Sequence, residues 1–123
     1  MKYKNRRLVK SEDLNGAGSL FGGKALAWID EEAAIYAFCQ LGAKNLVTKA
    51  MSTIDFKAPA KLGDIVEIGC DVVKIGTTSI TVSCSMRNKT TQQEIIAVSE
   101  ITFVNLDENG KPTPHGITTV RNE

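Results

Sequence analysis

Gly22-Gly23-Lys24-Ala25-Leu26-Ala27-Trp28-Ile29-Asp30-Glu31-Glu32-Ala33-Ala34-Ile35-Tyr36-Ala37-Phe38-Cys39-Gln40-Leu41, followed by Gly42, carries the one long helical pattern of the chain. Ala25, Leu26, Trp28, Ile29, Ala33, Ala34, Ile35, Ala37, Phe38 and Leu41 cover most of the circumference. That predicts a helix mostly buried rather than laid on a surface. Gly42 reads as its C-cap. A Gly-Gly start leaves backbone N–H groups open to close approach, and such groups can hold a developing oxyanion. Asp30 comes seven residues after Gly23, about two turns further along the same face. Amide donors and a carboxylate on one helix are the parts of a hydrolytic site.

Outward from the helix, the pattern changes to strand. Val47 to Phe56 alternates with loose phase: Val47, Lys49 and Met51 point one way, and Ala50, Ile54 and Phe56 the other. Lys57 to Asp64 is a breaker cluster. Ile65 to Ile75 reads as a long strand with Gly69 as a bulge. Gly76-Thr77-Thr78 is a tight connection into Ser79–Arg87, where Ile80, Val82, Cys84 and Met86 face inward. A polar hairpin loop from Asn88 to Gln93 leads to a last long strand, Glu94 to Leu106. Before the helix, Arg7 to Lys10 reads as a short strand and Ser11-Glu12-Asp13 as a turn. The tail from about Lys111 has two prolines and no periodicity, and is expected to pack loosely or fray. The order predicts an α+β fold: a strongly curved antiparallel sheet wrapped around one long central helix. The whole length, 1–123, reads as one domain.

Composition narrows the function classes. Apolar residues make up 42% of the 123, charged residues 24%, and the net charge is +1. No strong field draws the chain to nucleic acid or anionic lipid, and no basic-aromatic stripe is present. No apolar run approaches a membrane span, and no signal-like core follows the basic Met1–Arg7. A cytoplasmic protein is the expectation. Cys39, Cys70 and Cys84 lack metal-ligand spacing and read as buried thiols in a reducing compartment. His115 is the sole histidine and, lying in the tail, reads as exposed rather than catalytic.

At this point the chain resembles hotdog-fold acyl-CoA thioesterases of the YciA-like branch. Asn15, Gly18, Phe21-Gly22-Gly23 and Asp30 carry the resemblance around the helix. Phe56-Lys57-Ala58-Pro59, Leu62-Gly63-Asp64-Ile65-Val66, Gly76 with Thr78-Ser79-Ile80, and Phe103-Val104 carry it through the sheet. It spans residues 6 to 114. It implies a five- or six-stranded sheet around a central helix and a homodimer whose two sheets join, with two active sites at the interface. Tetramers or hexamers built from such dimers are usual in the family.

The resemblance also implies residue roles. Asp30 would be the general base or nucleophile on acyl-CoA. Its neighbours Gly23, Leu26, Ala27, Ala33, Ala34 and Ala37 leave room for a substrate beside it. Glu31 and Glu32 are acidic too, so spacing alone does not separate the three. Gly22 and Gly23, the latter above all, would polarise the thioester carbonyl, with Phe21 beside them. Asn15, which a loop could equally use for an Asx turn, would face Asp30 across the dimer. Gly76, Thr78 and Ser79 would line the CoA groove. Relatives often carry Arg directly after that glycine, where this chain has Thr77; Arg87, Lys57 or Lys61 would then compensate. No metal or cofactor is implied. A non-catalytic acyl-CoA sensor on the same fold is the alternative. A hotdog hydratase would need a histidine near the helix, and Asn15 to Gly42 has none.

Overall fold

The computed structural model describes residues 1–42 and 44–122. They form five strands and one long helix: β1 (Lys2–Leu8), α1 (Gly22–Leu41), β2 (Leu46–Phe56), β3 (Ile65–Ile75), β4 (Ser79–Asn88) and β5 (Glu94–Asn105). A short 3₁₀ turn over Ser11–Asp13 links β1 toward the helix. The sheet order is β1-β3-β4-β5-β2, and every neighbouring pair is antiparallel. The helix lies across one face, which is the α+β arrangement the sequence predicts.

Alternation explains the core. Ile80, Val82, Cys84 and Met86 of β4 are all buried on the helix side. Their partners across the ladder are Phe103, Ile101, Val98 and Ile96 of β5, and Ile75, Val72, Cys70 and Ile68 of β3. Ile29, Ala33, Ala37 and Leu41 of α1 have at most 1% of their surface exposed. Their four-residue spacing is one stripe of a helix. Small Ala33 and Ala37 let the helix axis approach the sheet. Burying each larger aliphatic side chain stabilises the fold by about 1.5–3 kcal/mol. Gly42 ends the helix as expected, at φ 76° with its N–H bonded to Phe38 O at 2.8 Å.

The helix is less covered than its composition suggests. Ile35 is 48% exposed and Phe38 37% on the face turned from the sheet. On β2, Ile54 and Phe56 are also exposed, although they pair with inward Val98 and Ile96. The loose phase read in β2 has a local cause. The register shifts between Thr48 and Ala50, so Lys49 is an extra residue that resets the alternation.

Four other expectations are corrected. Gly69 is not a bulge: it pairs in register with Tyr3 and Ser85. Its role is close approach, since a Cβ there would stand 3.0 Å from Lys2 O and 2.7 Å from Met1 Cγ. Cys39 is exposed, because its helix position falls off the buried stripe. His115 is buried, because the tail folds back along the sheet. The tail, for the same reason, is not loose. Leu106 bridges Pro112, the Thr113 N–H donates to Asn105 O at 2.9 Å, and Ile117 packs against the core. At its far end, fully buried Gln40 clamps the Arg121 peptide: Nε2 donates to Arg121 O at 2.8 Å, and the Arg121 N–H donates to Oε1 at 2.7 Å. Among the described residues no helix is long and apolar enough to cross a membrane.

Gln40→Ala removes both partners of the Arg121 peptide. We expect a loss of about 1–3 kcal/mol in urea unfolding and faster tryptic cleavage after Arg121, the residue the clamp holds, followed by mass spectrometry. A tail as protected as in the wild type would contradict the clamp.

Candidate active site

The helix entry is built by Asp13, a residue the sequence reading passed over as part of a turn. Its buried carboxylate accepts the Lys10 N–H at 2.9 Å and pairs with Lys24 Nζ at 3.4 Å. Its backbone carbonyl takes the Phe21 N–H at 2.9 Å. The Lys10 backbone bond, opposed by burial and aided by Lys24, holds the Asp13 carboxyl below the usual range. One acid thus ties the glycine-bearing loop to the first turn of α1. No hydrophobic or charged pattern announces it, because its value lies in backbone bonds.

Phe21 is the N-cap and supplies no side-chain bond to the helix start. Among the described residues, no hydrogen bond satisfies the N–H groups of Gly22, Gly23 or Lys24, as expected for a helix start. The glycines are needed sterically. A Cβ at Gly23 would lie 2.9 Å from the Phe21 ring, and one at Gly22 would lie 3.2 Å from the Phe56 ring. Two exposed aromatic rings therefore flank the free amides. A depression beside them is lined by Asn15, Leu20, Gly22, Phe56 and Pro59 among others. Asn15 Oδ1 accepts the N–H groups of Ala17 and Ser19 at 2.9 and 3.1 Å, which is the Asx turn. That bonding fixes the side chain and leaves its Nδ2 without a partner among the described residues.

The three consecutive acids of α1 part company. Glu31 pairs with Arg7 of β1 at 2.6 Å. Glu32 turns into a cavity that Lys4, Tyr36, Ile68 and Cys70 also line. Burial, opposed by Arg7, raises its carboxyl pKa. Asp30 turns the other way, to β2, where Thr48 Oγ1 donates to its Oδ1 at 2.8 Å. The separation follows from 100° of rotation per residue. Thr48 was not singled out from the sequence, because the bulge at Lys49 hides which strand residues face the helix.

Asp30 is not among the walls of the Asn15 depression. The axial rise between Gly23 and Asp30 is about 10 Å. Within one chain, then, Asn15, Gly22 and Gly23 form one cluster, and Asp30 with Thr48 another.

Thr78 and Ser79 lie together in a groove on the opposite face of the sheet from the helix, with Val47, Lys49, Val104 and Pro112. Gly76 packs behind them: its N–H donates to Ser79 O at 2.9 Å, and a Cβ there would meet Ser79 Oγ at 2.5 Å. Arg87 is not in this groove. It sits eight residues further along β4, about 26 Å away. There its Nε donates to Glu67 at 2.7 Å and its guanidinium lies 3.7 Å from the Tyr3 ring centre. Lys57 is bound to Glu94 at 2.7 Å, which raises its own pKa and lowers that of Glu94. Lys61 donates to Ser19 Oγ at 3.1 Å. Lys49 lines the groove and has no acidic partner among the described residues. The buried Cys84 thiol, whose pKa is pushed up by its bond to Cys70 and then by burial, makes a poor nucleophile.

The comparisons agree with this architecture. A family model described as the thioesterase superfamily matches residues 17–95. Over 121 residues the chain is 36% identical to YkhA of Bacillus subtilis, described as an uncharacterized acyl-CoA thioester hydrolase, an alignment covering 90% of this chain and 69% of that protein. It is 32% identical over 115 residues to the acyl-CoA thioester hydrolase YciA of Salmonella typhimurium, covering 89% and 86%. Among solved structures, an acyl-CoA hydrolase of Staphylococcus aureus in complex with butyryl-CoA, CoA and CoA disulfide superposes with a TM-score of 0.82 at 34% identity, covering 97% of this chain and 71% of that one. A hexameric acyl-CoA thioesterase in its apo form gives 0.81 at 36% identity, covering 97% and 76%. Fold, helix entry and sequence lead to one family, and the chain belongs to the thioesterase superfamily.

Proposed function

We propose that the chain hydrolyses acyl-CoA to a free carboxylic acid and CoA, as a single-domain cytoplasmic enzyme whose smallest active unit is a homodimer. The observation that carries this is the Asp30–Thr48 pair. Of three adjacent acids, only Asp30 is held by a hydroxyl of β2, which fixes one of its oxygens. The other oxygen is left to activate water or to attack the thioester carbonyl itself. Both routes expel a thiolate, a leaving group good enough to need no dedicated acid; in the second, water then hydrolyses the Asp30 anhydride, releasing the free acid and restoring the carboxylate.

Geometry and uncovered surface support the dimer. A reacting carbonyl must lie within about 3–3.5 Å of its nucleophile. It must also lie about 3 Å from its oxyanion donors. An axial rise of about 10 Å separates the Gly23 amide from Asp30 along one helix, which favours a carboxylate brought from elsewhere, above all for direct attack. A second copy supplies the missing half. Asn15 Nδ2 and the Gly22 and Gly23 amides of one protomer would hold the oxyanion, each donor worth about 3–4 kcal/mol. Asp30 and Thr48 would come from the partner. The β2 edge, with exposed Ile54 and Phe56, and the helix face carrying Ile35 and Phe38 are what a partner would cover. The hexameric state described for the apo acyl-CoA thioesterase supports assembly beyond the dimer.

In this reading Gly76, Thr78 and Ser79 shape the groove for the CoA arm, and Lys49 takes the phosphate contact that Thr77 cannot make.

Two measurements test the assignment. Purified protein is assayed on short, medium and long acyl-CoAs beside Asp30→Asn and Asp30→Ala, whose kcat should fall by about 10²–10⁴. Wild type inactive at every chain length, or variants with full activity, would remove the hydrolase reading; tight binding without turnover would favour a sensor. Separately, Lys49→Ala should raise KM for acyl-CoA by about fivefold at low salt while leaving KM for an acyl-pantetheine unchanged. An equal rise for both substrates would rule out a phosphate contact.

A further inference from the structure

His115 is the sole histidine and is only 5% exposed. Both ring nitrogens are engaged. The Ile117 N–H donates to Nδ1 at 3.1 Å, so Nδ1 bears no proton and Nε2 does. Nε2–H then donates to Ser79 O at 2.9 Å. The backbone of the same residue acts one step earlier, its N–H donating to Thr77 O at 3.2 Å.

These bonds grip the turn between β3 and β4 from behind. Thr77 O is held by His115, Thr78 O by the Asn105 N–H at 2.7 Å, and Ser79 O by the Gly76 N–H and the His115 ring. In a trans peptide the C=O and the following N–H point in opposite directions. Pinning Thr77 O to the tail therefore aims the Thr78 N–H away from it. That N–H has no partner among the described residues. The side chains it accompanies, Thr78 and Ser79, line the groove.

We infer that His115 is a positioning residue for the CoA arm of the substrate. It never touches the thioester. It holds Gly76–Ser79 in the one conformation that presents the Thr78 N–H and the two hydroxyls to the ligand. A free turn would have to be ordered at each binding event, and that cost would appear in affinity rather than in the chemical step. The inference rests on the assignment of the groove to CoA made above.

The test compares three variants. In His115→Gln the side-chain amide reaches the position of Nε2 and keeps the donor to Ser79 O. In His115→Asn it reaches only the position of Nδ1. His115→Ala keeps neither. Affinity for CoA alone is measured by calorimetry, with KM and kcat on acyl-CoA and circular dichroism as a fold control. Alanine and asparagine should weaken CoA binding and raise KM by about tenfold with kcat held within about twofold, and glutamine should return both toward wild type. Unchanged CoA affinity in a folded His115→Ala, or asparagine and glutamine behaving alike, would overturn the inference; if His115→Ala does not fold, that pair alone decides. Wild type that binds CoA without hydrolysing it would remove the hydrolase reading and leave the brace to be judged on affinity. Wild type that binds no CoA would overturn both.

Discussion

The roll of the central helix about its own axis fixes everything built on it. Ile29, Ala33, Ala37 and Leu41 are buried to within 1% of their surface, and two of the four are alanines pressed against the sheet. A close-packed stripe of this kind leaves no freedom to rotate. Once Ile29 points into the sheet, the next residue, at 100°, must point sideways, and Glu32, at 300°, must point to the other side. Asp30 therefore meets Thr48 of β2, and Glu32 faces the β1 side. The chemistry of the acid cluster is thus decided by methyl groups.

The same packing underlies the proposed division of the site between two copies. The free amides belong to the first turn of the helix and Asp30 to the third. A helix held straight against the sheet keeps them about 10 Å apart along its axis. The uncovered apolar side chains of α1 and β2 lie where a second copy would bring the missing half. A single reading thereby accounts for two facts that a monomer leaves unexplained: a carboxylate on an open sheet edge, and large apolar side chains exposed beside it.

Much of the fold was legible because it rests on period and punctuation. Gly22 and Leu41 bound the helix as the pattern indicates, Gly42 caps it, and β4 alternates without interruption. What was hidden depends on contacts distant in sequence. The extra residue at Lys49 turns Thr48 toward Asp30, and the loose phase of the strand signals an irregularity without saying at which residue it lies. His115 lies in a segment without periodicity, and its burial depends on the tail folding back to Thr77 and Ser79, more than thirty residues earlier. Asp13 works through backbone bonds that no composition reveals. Arg87, Lys57 and Lys61 were reasonable cations by type, but Glu67, Glu94 and Ser19 occupy them. Asp30 could be named from the resemblance, whereas its distinction from Glu31 and Glu32 required the helix roll.

The central claim is that one active site takes Asn15 and the glycine amides from one copy and Asp30 from another. Coexpression of Asp30→Ala with Asn15→Ala, each inactive or nearly so alone, tests it most directly. Randomly mixed dimers that carry one intact composite site should restore roughly a quarter of wild-type activity. If both halves came from the same chain, every site in the mixture would be defective, and the mixture would show no more activity than the two variants assayed separately.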